Sequence, residues 1–254
     1  MNETIKISVV MPALDEEKNI NAAIVNTLRA FDDYNISGEI IVINDGSTDK
    51  TEALVKEIKN QDHRIKLIRH TKPQGIGSSF WDGVDAARGD AVCMLPGDNE
   101  NDPWEIFRYY MLLEHVDIVI PFMFNKETRS LFRNLLSYIY RFIINTSFAV
   151  NLNYTNGTVL YRKSLLEKLT SRISGFFYQT DILIRLIKKG YLFAEVPYRL
   201  GMREGLSKAV SFPSFLKVAK GYLYLLKDLR FSENMKKNEG EFLSDTMTSK
   251  RHSN

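Results

Sequence analysis

Three carboxylates crowd the segment LPGDNENDP, residues 95–103: Asp98, Glu100 and Asp102. Such a run either caps a helix starting near Trp104 or offers hard oxygen ligands to a cation. Asp98 and Glu100, two apart in an extended segment, would point the same way. Other acids follow apolar runs. In MPALDEEKNI, Pro12 would stop a strand and Asp15 and Glu16 would sit at a helix N-terminus as capping acids. In VINDGSTDKT, Asn44, Asp45 and Gly46 read as a tight turn before a helix capped by Ser47 or Asp49, and a carboxylate aimed outward there could accept the N–H of a nucleobase. On the basic side, Arg129 and Arg133 stand i,i+4 on one helix face, and Arg203 and Lys208 lie close together in YRLGMREGLSK. Asp181 and Arg185, also i,i+4, read as a helix ion pair.

Strands and helices must hold these groups. KISVVM, EIIVIN, IKLIRH and DAVCML are short runs rich in β-branched residues, each followed by a helical pattern, beginning near Glu16, Asp49, Gly77 and Trp104. Strands apolar almost throughout, alternating with helices, predict an α/β fold with a mostly parallel central sheet and helices on both faces. Ligands of such sheets sit beyond the carboxyl ends of the strands, where the acids above fall. VDIVIPF, NGTVLYR and LFAEVPYRL predict further strands, with long helices over about 129–149 and 212–229. From Ser232 to Asn254 apolar residues thin out, which predicts a disordered polar tail after one domain at 1–231.

Bulk properties narrow the classes. With 254 residues, 44% of them hydrophobic, the chain can build a real core, and a formal charge of +3 does not indicate a nucleic-acid binder. The one cysteine, Cys93, lies in the apolar run AVCML and reads as core. The N-terminus shows no signal peptide. The uncharged run Phe142–Tyr161 holds four asparagines and a glycine, too polar for a lone membrane helix. The helices at 129–149 (Leu131, Leu135, Tyr138, Phe142, Asn145) and 212–229 (Phe212, Phe215, Val218, Tyr222, Leu225, with Lys217, Lys220 and Lys227) are amphipathic. Each could lie on a membrane or cover the sheet.

VVMPALDEEKNI, VINDGSTDKT, GIGSSFWDGVDAARGD and LPGDNENDP fall in the order and spacing of the donor-site segments of family 2 glycosyltransferases of the GT-A fold. The chain resembles the dolichol-phosphate mannose synthase, or polyprenyl-phosphate glycosyltransferase, branch over about residues 5–226. The resemblance implies that Pro12, Leu14 and Glu16 contact the nucleotide, that Asp45 reads its base, and that Gly75 and Gly77 let backbone approach the nucleotide sugar. It places Gly97, Asp98 and Glu100 there too, with Asp98 as the second aspartate of a D-x-D motif whose first is replaced by Pro96. Mg²⁺ or Mn²⁺ would then rest on Asp98 and Glu100, since diphosphate and water complete its shell.

In the C-terminal part, Arg203, Gly205, Ser207 and Lys208 match an R-x-G-x-S-K segment whose cations offset leaving-group charge. Arg129 and Arg133 match arginines near an acceptor phosphate. Asn153 replaces an acid of the family, and Met123 an arginine. Gln179 stands six residues before Arg185, where members acting on sugar hydroxyls place an aspartate base. Glutamine takes no proton, and a phosphate nucleophile needs no base, so the resemblance implies an inverting transfer of a hexose from a nucleotide-diphosphate sugar to a lipid phosphate. The expected halves are about 1–122 for the nucleotide sugar and 123–231 for the acceptor, in a cytoplasmic protein peripheral at the cytoplasmic face of a membrane. Transfer to a glycan hydroxyl in surface-polysaccharide synthesis is the first alternative. A non-catalytic module binding a nucleotide sugar or a partner enzyme is the second.

Overall fold

The computed structural model describes residues 4–125, 131–199, 212–231 and 242–253. Its centre is a seven-stranded sheet in the order β3-β2-β1-β4-β6-β5-β7. The strands are β1 (Ile7–Ala13), β2 (Gly38–Asn44), β3 (Ile65–Arg69), β4 (Ala91–Met94), β5 (Ile118–Met123), β6 (Leu160–Arg162) and β7 (Phe193–Tyr198). The first four pair in parallel, as do β5 and β7. The short β6 runs antiparallel between β4 and β5.

Alternation along each strand divides the core in two. Val10, Ile41, Ile43, Val92 and Met94 face one layer with Phe80, Ile144, Tyr178 and Leu225. Val9, Met11, Ile40, Val42 and Cys93 face the other with Ile24, Phe31, Val55 and Phe107. Helices α1 (Ile20–Asp33), α2 (Thr51–Gln61) and α4 (Pro103–Phe107) serve the second layer. Helices α3 (Ile76–Ala86), α5 (Leu131–Phe148), α7 (Tyr178–Lys188) and α8 (Phe212–Phe231) serve the first; α6 is Lys163–Glu167. Cys93 is fully buried, and burial pushes its thiol far above the ordinary range, as core filler requires.

Two expectations are corrected. Pro12 does not stop β1, which runs to Ala13 with Pro12 in register with Ile43. The tail is not wholly disordered: residues 242–253 are folded and include α9 (Met247–His252). Buried Asp117 accepts the backbone N–H groups of Met247 at 2.6 Å and Thr248 at 3.0 Å, and Phe242 packs on the Tyr191 ring. Composition missed this because the anchor is a carboxylate about 130 residues away, not an apolar stripe. The stripe Val218, Tyr222 and Leu225 of α8 packs against the core, while Leu223 and Tyr224 beside it are exposed. On α5, by contrast, Leu135, Tyr138 and Phe142 are exposed, together with Leu136, Ile139 and Ile143. Among the described residues no helix is long and apolar enough to cross a membrane.

Candidate active site

β1 lies between β2 and β4, so chain direction diverges there and the loops after these strands form a crevice. Two of the loops are tied reciprocally. Asp15 donates its N–H to Ser47 Oγ at 3.0 Å and accepts the Thr48 N–H at 2.8 Å. Glu17 donates to Asp49 Oδ2 at 3.0 Å and accepts from the Lys50 N–H at 3.1 Å, while the Glu16 N–H meets Thr51 Oγ1 at 2.8 Å. Asp15 therefore does not cap α1, which begins at Ile20 and has no acid in its first turn. Its left-handed backbone (φ 55°) turns it toward the second loop. Burial opposes ionisation of Asp49, but hydrogen bonds from Thr51 and Glu17 outweigh it and hold the carboxyl below its usual range.

Asp45 follows β2 and is buried. Its Oδ1 accepts the Gln74 N–H at 2.7 Å and faces His70 Nδ1 at 2.6 Å, and its Oδ2 accepts the Gly75 N–H at 2.9 Å. His70 Nε2 in turn lies 2.8 Å from Asp82 Oδ2. Gly75, at φ 102°, takes a conformation side chains rarely adopt. A Cβ on Gly77 would collide with the Ile173 carbonyl, so the close approach this glycine permits is to the 173–174 backbone. His70 and Asp82 went unnoticed in the sequence, although His70 directly follows β3 and the strand-end rule that selected Asp45 applies to it equally.

The loop after β4 is not extended. Asn99 sits at φ 56°, and the Glu100 N–H turns back onto Asp98 Oδ1 at 3.1 Å, so the two side chains do not follow strand alternation. Gly97 donates to the Pro12 carbonyl at 2.9 Å, bringing the loop onto the end of β1 near Leu14. Asp102 does cap α4, accepting the Trp104 N–H at 2.9 Å, with Pro103 at the first helical position. Among the described residues no group of three or more His, Cys, Asp or Glu could hold a metal ion. Among the described residues of this loop, Asp98 and Glu100 offer hard carboxylate oxygens of the kind that suit Mg²⁺ or Mn²⁺ with phosphate and water completing the shell.

A model of glycosyl transferase family 2 matches residues 8–170, more than half of the chain and all of the loops just described. The chain belongs to glycosyl transferase family 2. The chain is 23% identical over 171 residues to the dodecaprenyl-phosphate galacturonate synthase of Rhizobium johnstonii, covering 66% of the chain and 51% of that protein. It is 29% identical over 167 residues to the undecaprenyl-phosphate 4-deoxy-4-formamido-L-arabinose transferase of Photorhabdus laumondii, covering 65% and 51%. The chain thus spans about half the length of these curated relatives. A crystal structure of glucosyl-3-phosphoglycerate synthase from Mycobacterium tuberculosis with UDP superposes with a TM-score of 0.67 at 21% identity, over 87% of this chain and 80% of that one. Another, with Mn²⁺, UDP-glucose and phosphoglyceric acid, gives 0.63. The fold is GT-A.

On α7, Gln179 is buried and its amide donates to the Gly157 carbonyl at 2.5 Å. Asp181 and Arg185 form the expected pair, with Nε 3.0 Å from both carboxylate oxygens, and Arg185 Nη1 reaches Asp228 on α8 at 2.5 Å. Burial pushes the Asp181 carboxyl above its ordinary value against the pull of Arg185. Tyr140 OH meets Thr180 Oγ1 at 2.8 Å, and burial raises the phenol to about 12. Asn153 is drawn to β7, where Glu195 accepts both its backbone and its amide N–H. Met123 closes β5, buried. Arg133 falls within α5, and Arg129, Arg203, Gly205, Ser207 and Lys208 lie outside the described residues.

Proposed function

We propose that the protein moves a hexose from a nucleotide-diphosphate sugar to a polyprenyl phosphate, with inversion. One observation carries the acceptor class: on α7, where a hydroxyl acceptor would need a base, Gln179 is fastened to Gly157 and Asp181 is taken up by Arg185. A phosphate oxygen is anionic at neutral pH and attacks without surrendering a proton. It forms its bond to the anomeric carbon as the bond to the diphosphate breaks, and the nucleoside diphosphate leaves on the opposite side. The names of the two curated relatives support this acceptor. In this reading residues 1–122 hold the nucleotide sugar and 123–231 the acceptor, with Arg129, Arg133 and Ser207 at its phosphate.

Arg203 and Lys208 meet the developing charge of the leaving diphosphate. Asp98 and Glu100 would hold Mg²⁺ or Mn²⁺, which when bound supplies further positive charge at that diphosphate. The apolar face of α5, with Arg141 beside Tyr138, is the surface we assign to a membrane.

The test incubates the chain with labelled nucleotide sugars, Mg²⁺ or Mn²⁺, and either undecaprenyl or dolichyl phosphate. Label appearing in lipid is expected. Label in a glycan but not in lipid replaces this reading with a hydroxyl acceptor, and nucleotide-sugar binding without transfer to any acceptor replaces it with a binding module.

A further inference from the structure

We infer that the site takes a uracil or thymine nucleotide and turns guanine away, because His70 and the 74–75 backbone already fill most of Asp45. The inference rests on Asp45 being the group that meets the base. A carboxylate offers about four lone-pair positions on two oxygens. On Asp45, Oδ1 holds two partners, the Gln74 N–H and His70 Nδ1, and Oδ2 holds one, the Gly75 N–H. Because Oδ1 also accepts from Gln74, the proton of its 2.6 Å contact with His70 sits on Nδ1. Asp82, 2.8 Å from Nε2, fixes the ring from its other side.

One acceptor position remains, on Oδ2, and the Asp45 side chain is only 9% exposed. The edge of guanine presents two parallel donors, N1–H and the 2-amino group, which match both oxygens of an open carboxylate. The imide of uracil or thymine presents a single N3–H between two carbonyl oxygens. Guanine placed here would satisfy one donor and press the other against a saturated Oδ1. A buried donor left unpaired weakens binding by roughly tenfold or more. His70 is thus a positioning residue that sets base choice through Asp45.

The measurement is calorimetric titration of the full chain, with Mg²⁺, by UDP, GDP and inosine diphosphate, which lacks only the 2-amino group of guanine. The expected result is UDP at least roughly tenfold tighter than GDP, with inosine diphosphate recovering much of the difference. His70→Ala, by opening a position on Oδ1, should shrink the UDP-to-GDP ratio through tighter GDP binding. His70→Asn, whose amide can donate in place of Nδ1, should restore it. A parent that binds GDP as well as UDP, or inosine diphosphate no better than GDP, overturns the inference while leaving the glycosyltransferase reading intact. If none of the three nucleotides binds, the assignment of the site to a nucleotide sugar fails, and the inference with it. Should His70→Ala not fold, the three nucleotides on the parent still decide.

Discussion

Asp98 and Asp102 stand four residues apart and have different work. Asp98→Asn should abolish the metal-dependent part of nucleotide binding, read as loss of the Mg²⁺ or Mn²⁺ effect on thermal stabilisation by UDP or GDP. Asp102→Ala should leave that effect in place and lower unfolding stability by about 1 kcal/mol, the usual loss of an N-cap. Equal nucleotide and metal binding in the parent and Asp98→Asn would reduce the segment to a turn. Gln179→Ala should keep the chemical step within a few-fold, since no proton has to be removed. Asp181→Asn should mainly destabilise, because it takes from buried Arg185 the more deeply buried of its two carboxylate partners and leaves Asp228. A folded Asp181→Asn protein that binds nucleotide sugar normally yet cannot transfer would point instead to a hydroxyl acceptor. The Asp102 cap and the Asp181–Arg185 pair were legible in sequence because helix starts and i,i+4 spacing are local signals, whereas Gln179 stood out only through the family resemblance. The left-handed Asn99 and the turn it imposes were not, since an asparagine between two acids serves a strand or a turn equally well on paper.

Among the elements, α5 and α8 looked alike in sequence and differ in the fold. Both carry an apolar stripe with basic neighbours, and periodicity says that a face exists without saying what it meets. Leu225 is fully buried, whereas Phe142 is 60% exposed. Leu135→Glu with Phe142→Glu should therefore reduce flotation with anionic liposomes and leave the unfolding free energy in urea within about 0.5 kcal/mol of the parent, as surface changes do. Leu225→Ala should cost about 2–5 kcal/mol and leave flotation of the folded fraction unchanged. Unaltered flotation after both charge insertions would remove α5 from the membrane. Strand existence was the most legible feature of all, because runs such as EIIVIN are buried on both sides and tolerate little but β-branched and aliphatic residues.

Across the whole molecule, a buried carboxylate joins pieces far apart in the chain. Glu39 on β2 accepts from Ser8 Oγ on β1 at 2.7 Å and from Arg88 at the end of α3, and pairs with Lys66 on β3 at 3.1 Å. Burial alone would raise its carboxyl, but the bonds from Arg88, Ser8 and Lys66 prevail and hold it below its ordinary value. A carboxyl depressed by folding contributes its stability above the unfolded pKa of about 4.3 and loses it as pH falls through the folded value. Glu39→Gln should thus be less stable than the parent by roughly 1–3 kcal/mol at neutral pH, partners that reach solvent keeping the figure modest. The gap should close in acid below about pH 4, as followed by urea unfolding across pH. A gap constant down to pH 3 would show that Glu39 acts by shape alone. Sequence could not reveal this junction, because a glutamate opening a strand resembles any exposed edge acid.

The reciprocal bonds between Asp15 and Glu17 in the first loop and Ser47, Thr48, Asp49 and Lys50 in the second make the two a single mechanical part. If the proposed nucleotide sugar enters here, redesigning which one is accepted requires transplanting both loops together. A graft of either one alone would break bonds on both sides of the join, and a double-mutant cycle across Asp15 and Thr48, whose side chains meet at 3.3 Å, would show the two changes failing to add.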